Sequence, residues 1–384
     1  MNRFEYLAAT LFLRILRLAF SRLPVRRDRV VLASARHARL EGNLRHLHAV
    51  MRRRHPDLRY VLLLEPYSYR FGAKLIYLMR MGRAMYFLCT SRLFIVDNAY
   101  LPIHVGPHRA ETTVVQVWHA AGSLKHFGLD APSRRRRTER AFLHRYYDYV
   151  IVAGEAGRAA YASALRTPVE RVLALGSPRT DFFFDPDAMA AACARVLRAY
   201  PMLSGKRVVL YAPTFRGRGP RKRAAPGFDA ARLRSLLPDD HVLVLKTHPN
   251  LDPHATPTDG YDAVIDPGSE VNDVFTLADV LVTDYSSSIF EWALLRRPLI
   301  LLVPDLKQYT SNPGLYLDYR TDMIGTQVTD TDAVAAAILD DTFDASEFAA
   351  FIERHLGASD GSASVRFVER FLSGDTLPSH VSHE

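Results

Sequence analysis

Apolar residues along this chain fall into short unbroken runs, separated by stretches in which they recur every three or four positions. Runs at residues 30–33, 60–64, 93–96, 113–118, 149–153 and 172–175 predict strands buried on both faces, and residues 40–53, 72–83 and 155–165 between them carry helical spacing. A helix at 187–200 ends at Tyr200-Pro201, after which strands are predicted at 207–211, 241–245, 263–265, 280–282 and 299–303, with helices at 332–340 and 347–372. Strands alternating with helices imply parallel sheets covered on both faces. The chain therefore reads as α/β, two doubly wound Rossmann-like domains at 28–203 and 204–375, with a tail at 376–384. Ligands bind such sheets beyond the carboxyl ends of the strands, and two facing domains would make a cleft there.

The residues just past the strands bear this out chemically. WHAAGSLK follows Val117, GSPRTD follows Leu175, YAPTFR follows Leu210 and KTHP follows Leu245. The most informative is 278–300, where the apolar run ending at Val282 meets Thr283, Asp284 and three serines, and then a helical stripe of Ile289, Phe290, Ala293, Leu294 and Leu295. Ser286 or Ser287 stands where a helix N-cap belongs, and a helix N-terminus with serine donors binds phosphate. A capped helix in any α/β domain fits that segment equally well.

The first 27 residues form a separate piece. On a helical wheel Arg3, Thr10, Arg14, Arg17 and Ser21 share one narrow face, Phe4, Leu7, Leu11, Phe12, Ile15, Leu16 and Phe20 cover the rest, and Arg26, Arg27 and Arg29 follow. Charge interrupts the segment too often for it to span a bilayer or to serve as a secretory signal. It reads as an amphipathic basic helix lying on an anionic membrane surface, or as a helix docked on the protein's own core. The net charge of +9 calls for anionic partners, which by itself does not choose among lipid, polyphosphate and nucleic acid. Basic tracts at Arg134–Arg137 and at Arg216, Arg218, Arg221, Lys222 and Arg223 fit a solvated charge run or a track for a polyanion. No nucleic-acid-binding signature accompanies them. Cys89 and Cys193 form neither a redox pair nor a metal motif, which fits a reducing compartment.

Together WHAAGSLKHFG, GSPRTD, YAPTFR, KTHP and TDYSSSIFEWALLRRPLILLVPDLKQY, followed by GLYLDY, resemble the CDP-glycerol glycerophosphotransferases, the teichoic acid primase and polymerase group, over residues 30–370. The resemblance implies a GT-B fold and metal-independent transfer of glycerol phosphate, or a related polyol phosphate, from CDP-glycerol to a lipid-linked, teichoic-acid-like or capsular polymer, with no cofactor beyond the donor substrate. It implies a cytoplasmic enzyme, peripheral on the inner face of the membrane, whose partners are a CDP-activated polyol and a polyanionic lipid-linked acceptor. The family's two histidines match His119 and His248, and its phosphate-binding serines match Ser286 and Ser287. Where many members read WHGTPLK this chain reads WHAAGSLK, a departure that bears on the acceptor.

The chemistry asks for the same residue types. A hydroxyl attacking a diphosphate needs a base, and the phosphates need cations or dipoles. A histidine titrating near 6.5 can take the proton, which makes His119 the candidate base, with His248 on the phosphates or the leaving group. Thr214, Arg216, Lys246, Ser286 and Ser287 are expected on the donor phosphates. Glu291 is expected on the ribose hydroxyls or as a helix-dipole partner. Gly122, Ser123, Arg179 and Asp284 would support them, and no carboxylate shows metal-ligand spacing with Asp284. A GT-B glycosyltransferase using a nucleotide sugar, and a catalytically inactive membrane-surface protein, share most of these features.

Overall fold

The computed structural model describes residues 3–66, 71–132, 143–217, 225–247, 258–340 and 343–373. The arginine run at 134–137, the basic residues Arg218, Arg221, Lys222 and Arg223, His248, and the tail at 376–384 lie outside the described residues.

Among the described residues two all-parallel six-stranded sheets form. In the first, β1 (Arg26–Ser34), β2 (Arg59–Leu64), β3 (Ser91–Val96), β4 (Thr113–Gln116), β5 (Tyr149–Ile151) and β6 (Val172–Leu173) lie in the order β2-β1-β3-β4-β5-β6. Successive side chains of a strand point to opposite faces. Here both faces are covered: Val31 and Ala33 pack with Met81, Met85 and Phe94 on one, Val30 and Leu32 with Leu44, Leu47 and Met51 on the other. That double burial is why these strands read as unbroken apolar runs. In the second sheet β7 (Arg207–Tyr211), β8 (His241–Lys246), β9 (Ala263–Ile265), β10 (Val280–Thr283), β11 (Leu299–Leu302) and β12 (Thr326–Val328) take the order β12-β11-β10-β7-β8-β9. The edge strand β12 has one apolar residue among its three, too few to announce it in the sequence. Strand order reverses between β1 and β3 in the first sheet and between β7 and β10 in the second, and such switch points are where parallel sheets bind ligands.

The chain divides into two compact units, one of Met1–Ala121, Phe127–Asp181 and Leu356–Glu384, the other of Gly122–His126 and Phe182–His355. This differs from the boundary expected at 203/204. The helix Pro186–Ala199 belongs to the second unit, where Arg195 pairs with Asp273 at 2.8 Å. The helix expected over 347–372 is in fact two, Ser346–Leu356 and Ala363–Leu372. Between them Gly361 takes the left-handed conformation, at φ 88°. The later helix returns to the first unit, laying Phe367, Val368, Phe371 and Leu372 against Leu44, Leu47 and Met51. Asp181 receives it: its two carboxylate oxygens accept from the Ala363 and Ser364 amides at 2.9 and 2.8 Å, satisfying first-turn donors that have no partner inside the helix. The Asp of GSPRTD is thus a cap supplied from another segment.

The N-terminal helix Arg3–Phe20 packs on the helix Phe71–Thr90 through Leu13, Leu16 and Phe20. Of the two readings of this helix, its packing fits docking on the protein's own core, with arginines turned toward it. Arg14 Nε donates to the Val105 carbonyl at 3.0 Å and Arg17 to the Pro107 carbonyl at 2.8 Å, so these arginines are tied to the protein's own backbone. Exposed instead are Leu7, Leu11, Ile15 and Leu18, with Leu75, Ile76 and Met79 of the neighbouring helix, each between 49% and 64% accessible. No described helix is long and apolar enough to cross a membrane.

Replacing Asp181 by alanine is expected to cost about 1–2 kcal/mol of unfolding free energy. A urea midpoint equal to that of the unaltered protein would show that water caps the Ala363–Leu372 helix equally well.

Candidate active site

In the first unit the chain turns sharply after β4. Trp118 sits at φ 49°, a region few large side chains adopt, and hydrogen bonds fix it there. Its amide donates to Gln116 Oε1 at 2.9 Å, while its carbonyl and that of Val117 accept from Asn43 Nδ2 at 3.0 and 2.9 Å. Asn43 Oδ1 in turn accepts from the Ser177 hydroxyl at 3.1 Å and the Arg179 amide at 2.9 Å. The Arg179 guanidinium donates to the His119 carbonyl at 3.0 Å. His119 and Arg179 therefore share one frame, built on an asparagine that is 2% exposed.

The half-buried His119 ring lies against Trp118, with centroids 4.5 Å apart, and its Nδ1 is 3.4 Å from the Asp97 carbonyl just beyond β3. A carbonyl only accepts, so Nδ1 carries the proton and Nε2 keeps its lone pair. Burial first, and then the positive charges of Arg36, Arg179 and His37, push this imidazole down to about 3. It is neutral at physiological pH, and its own basicity is low in the free protein.

In the second unit the switch point is occupied by an ion cluster. Asp284, 2% exposed, accepts from the Thr214 amide at 2.8 Å, the Thr214 hydroxyl at 2.9 Å and Arg216 at 2.8 Å. Arg216 also grips Asp305 through two bonds, of 2.7 and 3.1 Å, and lies over the stacked rings of Tyr285 and Tyr309. The Tyr285 hydroxyl donates to Asp305 and that of Tyr319 to the Asp284 carbonyl. Burial opposes the charge on Asp305, but Arg216 holds its carboxyl below the usual range. Arg216, expected to neutralise phosphate, is thus spent on two carboxylates. Lys125 is differently placed. Its ammonium lies 5.8 Å from the Tyr309 ring, and burial, eased by Asp284 and reinforced by Arg216, lowers it to about 8.

The remaining expected residues are distributed around β8 and β10. Lys246 is 5% exposed and donates to the Pro267 carbonyl at 2.9 Å; burial lowers it to about 8 against the pull of Asp266 and Glu270. The Ser286 and Ser288 hydroxyls are 2.7 Å apart, and Ser286 Oγ accepts from the Ser288 amide at 3.3 Å. Ser287 is the N-cap of the helix Ser288–Ala293 and makes no side-chain capping bond. Within that helix Glu291 is buried. Gly122 touches it too: a Cβ there would stand 2.3 Å from the Phe290 ring, so no side chain fits. Ser123 is buried close by in sequence, and residues 124–126 pair antiparallel with 314–316 through the Tyr316 amide to Leu124 carbonyl bond of 2.9 Å and the His126 amide to Gly314 carbonyl bond of 3.0 Å.

Four residues that carry this geometry were not expected: Asn43, Asp97, Lys125 and Asp305. Lys125 and Asp305 lie inside the WHAAGSLK and LVPDLKQY stretches, where their charge was the signal. Asn43, a polar residue at an otherwise apolar helix position, and Asp97, after a buried strand, give weaker ones. Among the described residues no three His, Cys, Asp or Glu side chains come together as a metal site.

Two doubly wound parallel sheets with these polar switch points make a GT-B-like fold. The wall teichoic acid polymerase TagF shares this fold, with a TM-score of 0.75 at 20% identity across 96% of this chain and 97% of that one. The chain belongs to the CDP-glycerol:poly(glycerophosphate) glycerophosphotransferase family, which it matches over residues 15–373. It is 33% identical over 363 residues to the teichoic acid ribitol-phosphate primase of Bacillus spizizenii, covering 91% of this chain and 93% of that protein. It is 30% identical over 300 residues to the teichoic acid glycerol-phosphate primase of Bacillus subtilis, covering 76% and 77%.

Arg216→Ala leaves Asp284 and Asp305 facing each other without their shared cation, and the Arg216 side chain is only 11% exposed. A loss of about 3–5 kcal/mol is expected, read as a lower denaturation midpoint. A loss under about 1 kcal/mol would mean that water screens the cluster as it does a surface pair.

Proposed function

We propose that the protein transfers a polyol phosphate, glycerol phosphate or ribitol phosphate, from its CDP-activated form to a hydroxyl of a lipid-linked, teichoic-acid-like or capsular polymer, releasing CMP. Family membership supplies the reaction class, and the observation that carries the reading is His119: a neutral imidazole, held through Nδ1–H on the Asp97 carbonyl with Nε2 left to accept. As the acceptor oxygen bonds to the donor's outer phosphorus, its proton passes to Nε2 and the bond from that phosphorus to CMP breaks. His248 serves the leaving side. Ser286, Ser287, Lys246 and Lys125 attract the donor phosphates, with Thr214, Arg216 and Asp284 as the rigid frame behind them.

Incubation with labelled CDP-glycerol, CDP-ribitol and a panel of nucleotide sugars, with CMP or the sugar's nucleotide as readout, is expected to show turnover of a CDP-polyol alone. Consumption of a nucleotide sugar instead would make the protein a glycosyltransferase. His119→Ala is expected to lower turnover on the order of 10² or more in a folded protein. A near-normal rate would remove His119 from the reaction.

A lipid-linked acceptor places the enzyme at a membrane, on its cytoplasmic face, and the exposed ridge of Leu7, Leu11, Ile15, Leu18, Leu75, Ile76 and Met79 is the surface suited to enter it. The double change Leu11→Glu and Ile15→Glu is expected to abolish co-flotation with vesicles containing anionic lipid while leaving donor turnover in solution intact. Undiminished flotation would assign binding to the basic loops.

A further inference from the structure

Asp97 is 4% exposed, and its Oδ1 has no hydrogen-bond partner among the described residues. Burying a carboxylate oxygen without a donor costs about 1–3 kcal/mol or more. The residue lies where strand order reverses between β1 and β3: the Ser34 hydroxyl at the end of β1 bonds to its carboxyl, and its own carbonyl receives the His119 ring. Arg36, Arg179 and His37, all cationic or able to become so, add positive charge around His119. A proton arriving on Nε2 adds one more positive charge to that company, in surroundings where burial already disfavours it.

We propose that Asp97 is the counter-ion and positioning residue of His119, its carbonyl fixing the ring and its carboxylate stabilising the imidazolium that forms when Nε2 takes the acceptor's proton. This rests on the transfer reaction proposed above, in which His119 is the base. The proton moves from the hydroxyl oxygen to Nε2, the freed electron pair becomes the new O–P bond, and Asp97 stays ionised throughout.

The pH behaviour separates the two residues. Burial foremost, reinforced by Glu41 and resisted by the Ser34 hydrogen bond and Arg36, raises the Asp97 carboxyl to about 6. Glu41 is itself paired with His37 at 2.8 Å. His119, held near 3, does not titrate in that range. An acidic limb of kcat/KM in the free enzyme is expected where Asp97 loses its charge, as pH falls through about 6. For stability the sign is opposite. A carboxyl whose folded value lies above its ordinary one binds protons more tightly when folded, so its contribution is largest below the ordinary value of 3.8 and is lost as pH rises through about 6.

Asp97→Asn keeps the shape and the carbonyl while removing the charge. In the full-length enzyme kcat is expected to fall about 10- to 100-fold with donor KM changed by less than about twofold, and the acidic limb to disappear. The melting temperature at pH 7.5 should hold or rise, because a buried charge with one unsatisfied oxygen has gone. A kcat within about twofold of the unaltered enzyme, an acidic limb that persists, or a fall in melting temperature that tracks the loss of rate would each overturn the proposal. An unaltered enzyme that turns over no CDP-polyol sinks the transfer reading instead. In that case melting temperature against pH decides for Asp97, and a variant less stable than its parent at pH 7.5 counts against it.

Discussion

Every hydrogen-bonding position of the Asn43 side-chain amide is used: two donors on the carbonyls of Val117 and Trp118, two lone pairs on the Ser177 hydroxyl and the Arg179 amide. Turns past the ends of parallel strands have backbone groups that the sheet cannot satisfy, and burial forbids leaving them unmet. One amide meets three such needs and the Ser177 hydroxyl at once and, in doing so, sets where His119 and Arg179 stand. A shorter or charged side chain there would leave buried partners without bonds, each costing about 1–3 kcal/mol. The order of the first unit's chemical end follows from that side chain.

The second unit solves the same problem with charge. Thr214, Asp284, Arg216 and Asp305 close on one another, with the stacked Tyr285 and Tyr309 rings beneath the guanidinium. A cluster so satisfied is rigid, and rigidity lets nearby hydroxyls and amides act as fixed dipoles. Arg216 contributes from inside that frame, whereas Lys125 is a cation held by no carboxylate at ion-pair distance among the described residues.

Much of this was legible in the sequence, and the limits have physical causes. Strands buried on both faces announce themselves as apolar runs, so the two sheets could be read almost strand for strand, apart from the sparsely apolar β12. Polar residues past the strand ends were legible as a group, but their structural uses were not: Asp181 caps a helix and Arg216 joins two carboxylates. Nor were the contacts that organise the sites. Asn43 reaches residues 74, 75 and 136 positions away, and Arg216 reaches Asp305 across 89. Such pairings exist only once the sheet has assembled. The N-terminal helix stayed between two readings for a related reason: a helical wheel sorts residues by side but does not say which side meets the protein. The long carbonyl-seeking arms of Arg14 and Arg17 chose it. The return of the Ala363–Leu372 helix to the first unit was hidden likewise, its apolar stripe being equally suited to either sheet.

The buried lysines carry a further consequence. Only six of the chain's fifty basic side chains are lysine, and arginine keeps its charge at any pH a cell reaches. The arginine share of the molecule's positive charge is therefore constant with pH. Lys125 and Lys246, both lowered to about 8 by burial, are cations that the solution can switch off a little above neutrality. As pH rises from neutral through about 8, the second unit's interior sheds positive charge that an arginine in the same place would keep, so an anion there meets a graded attraction.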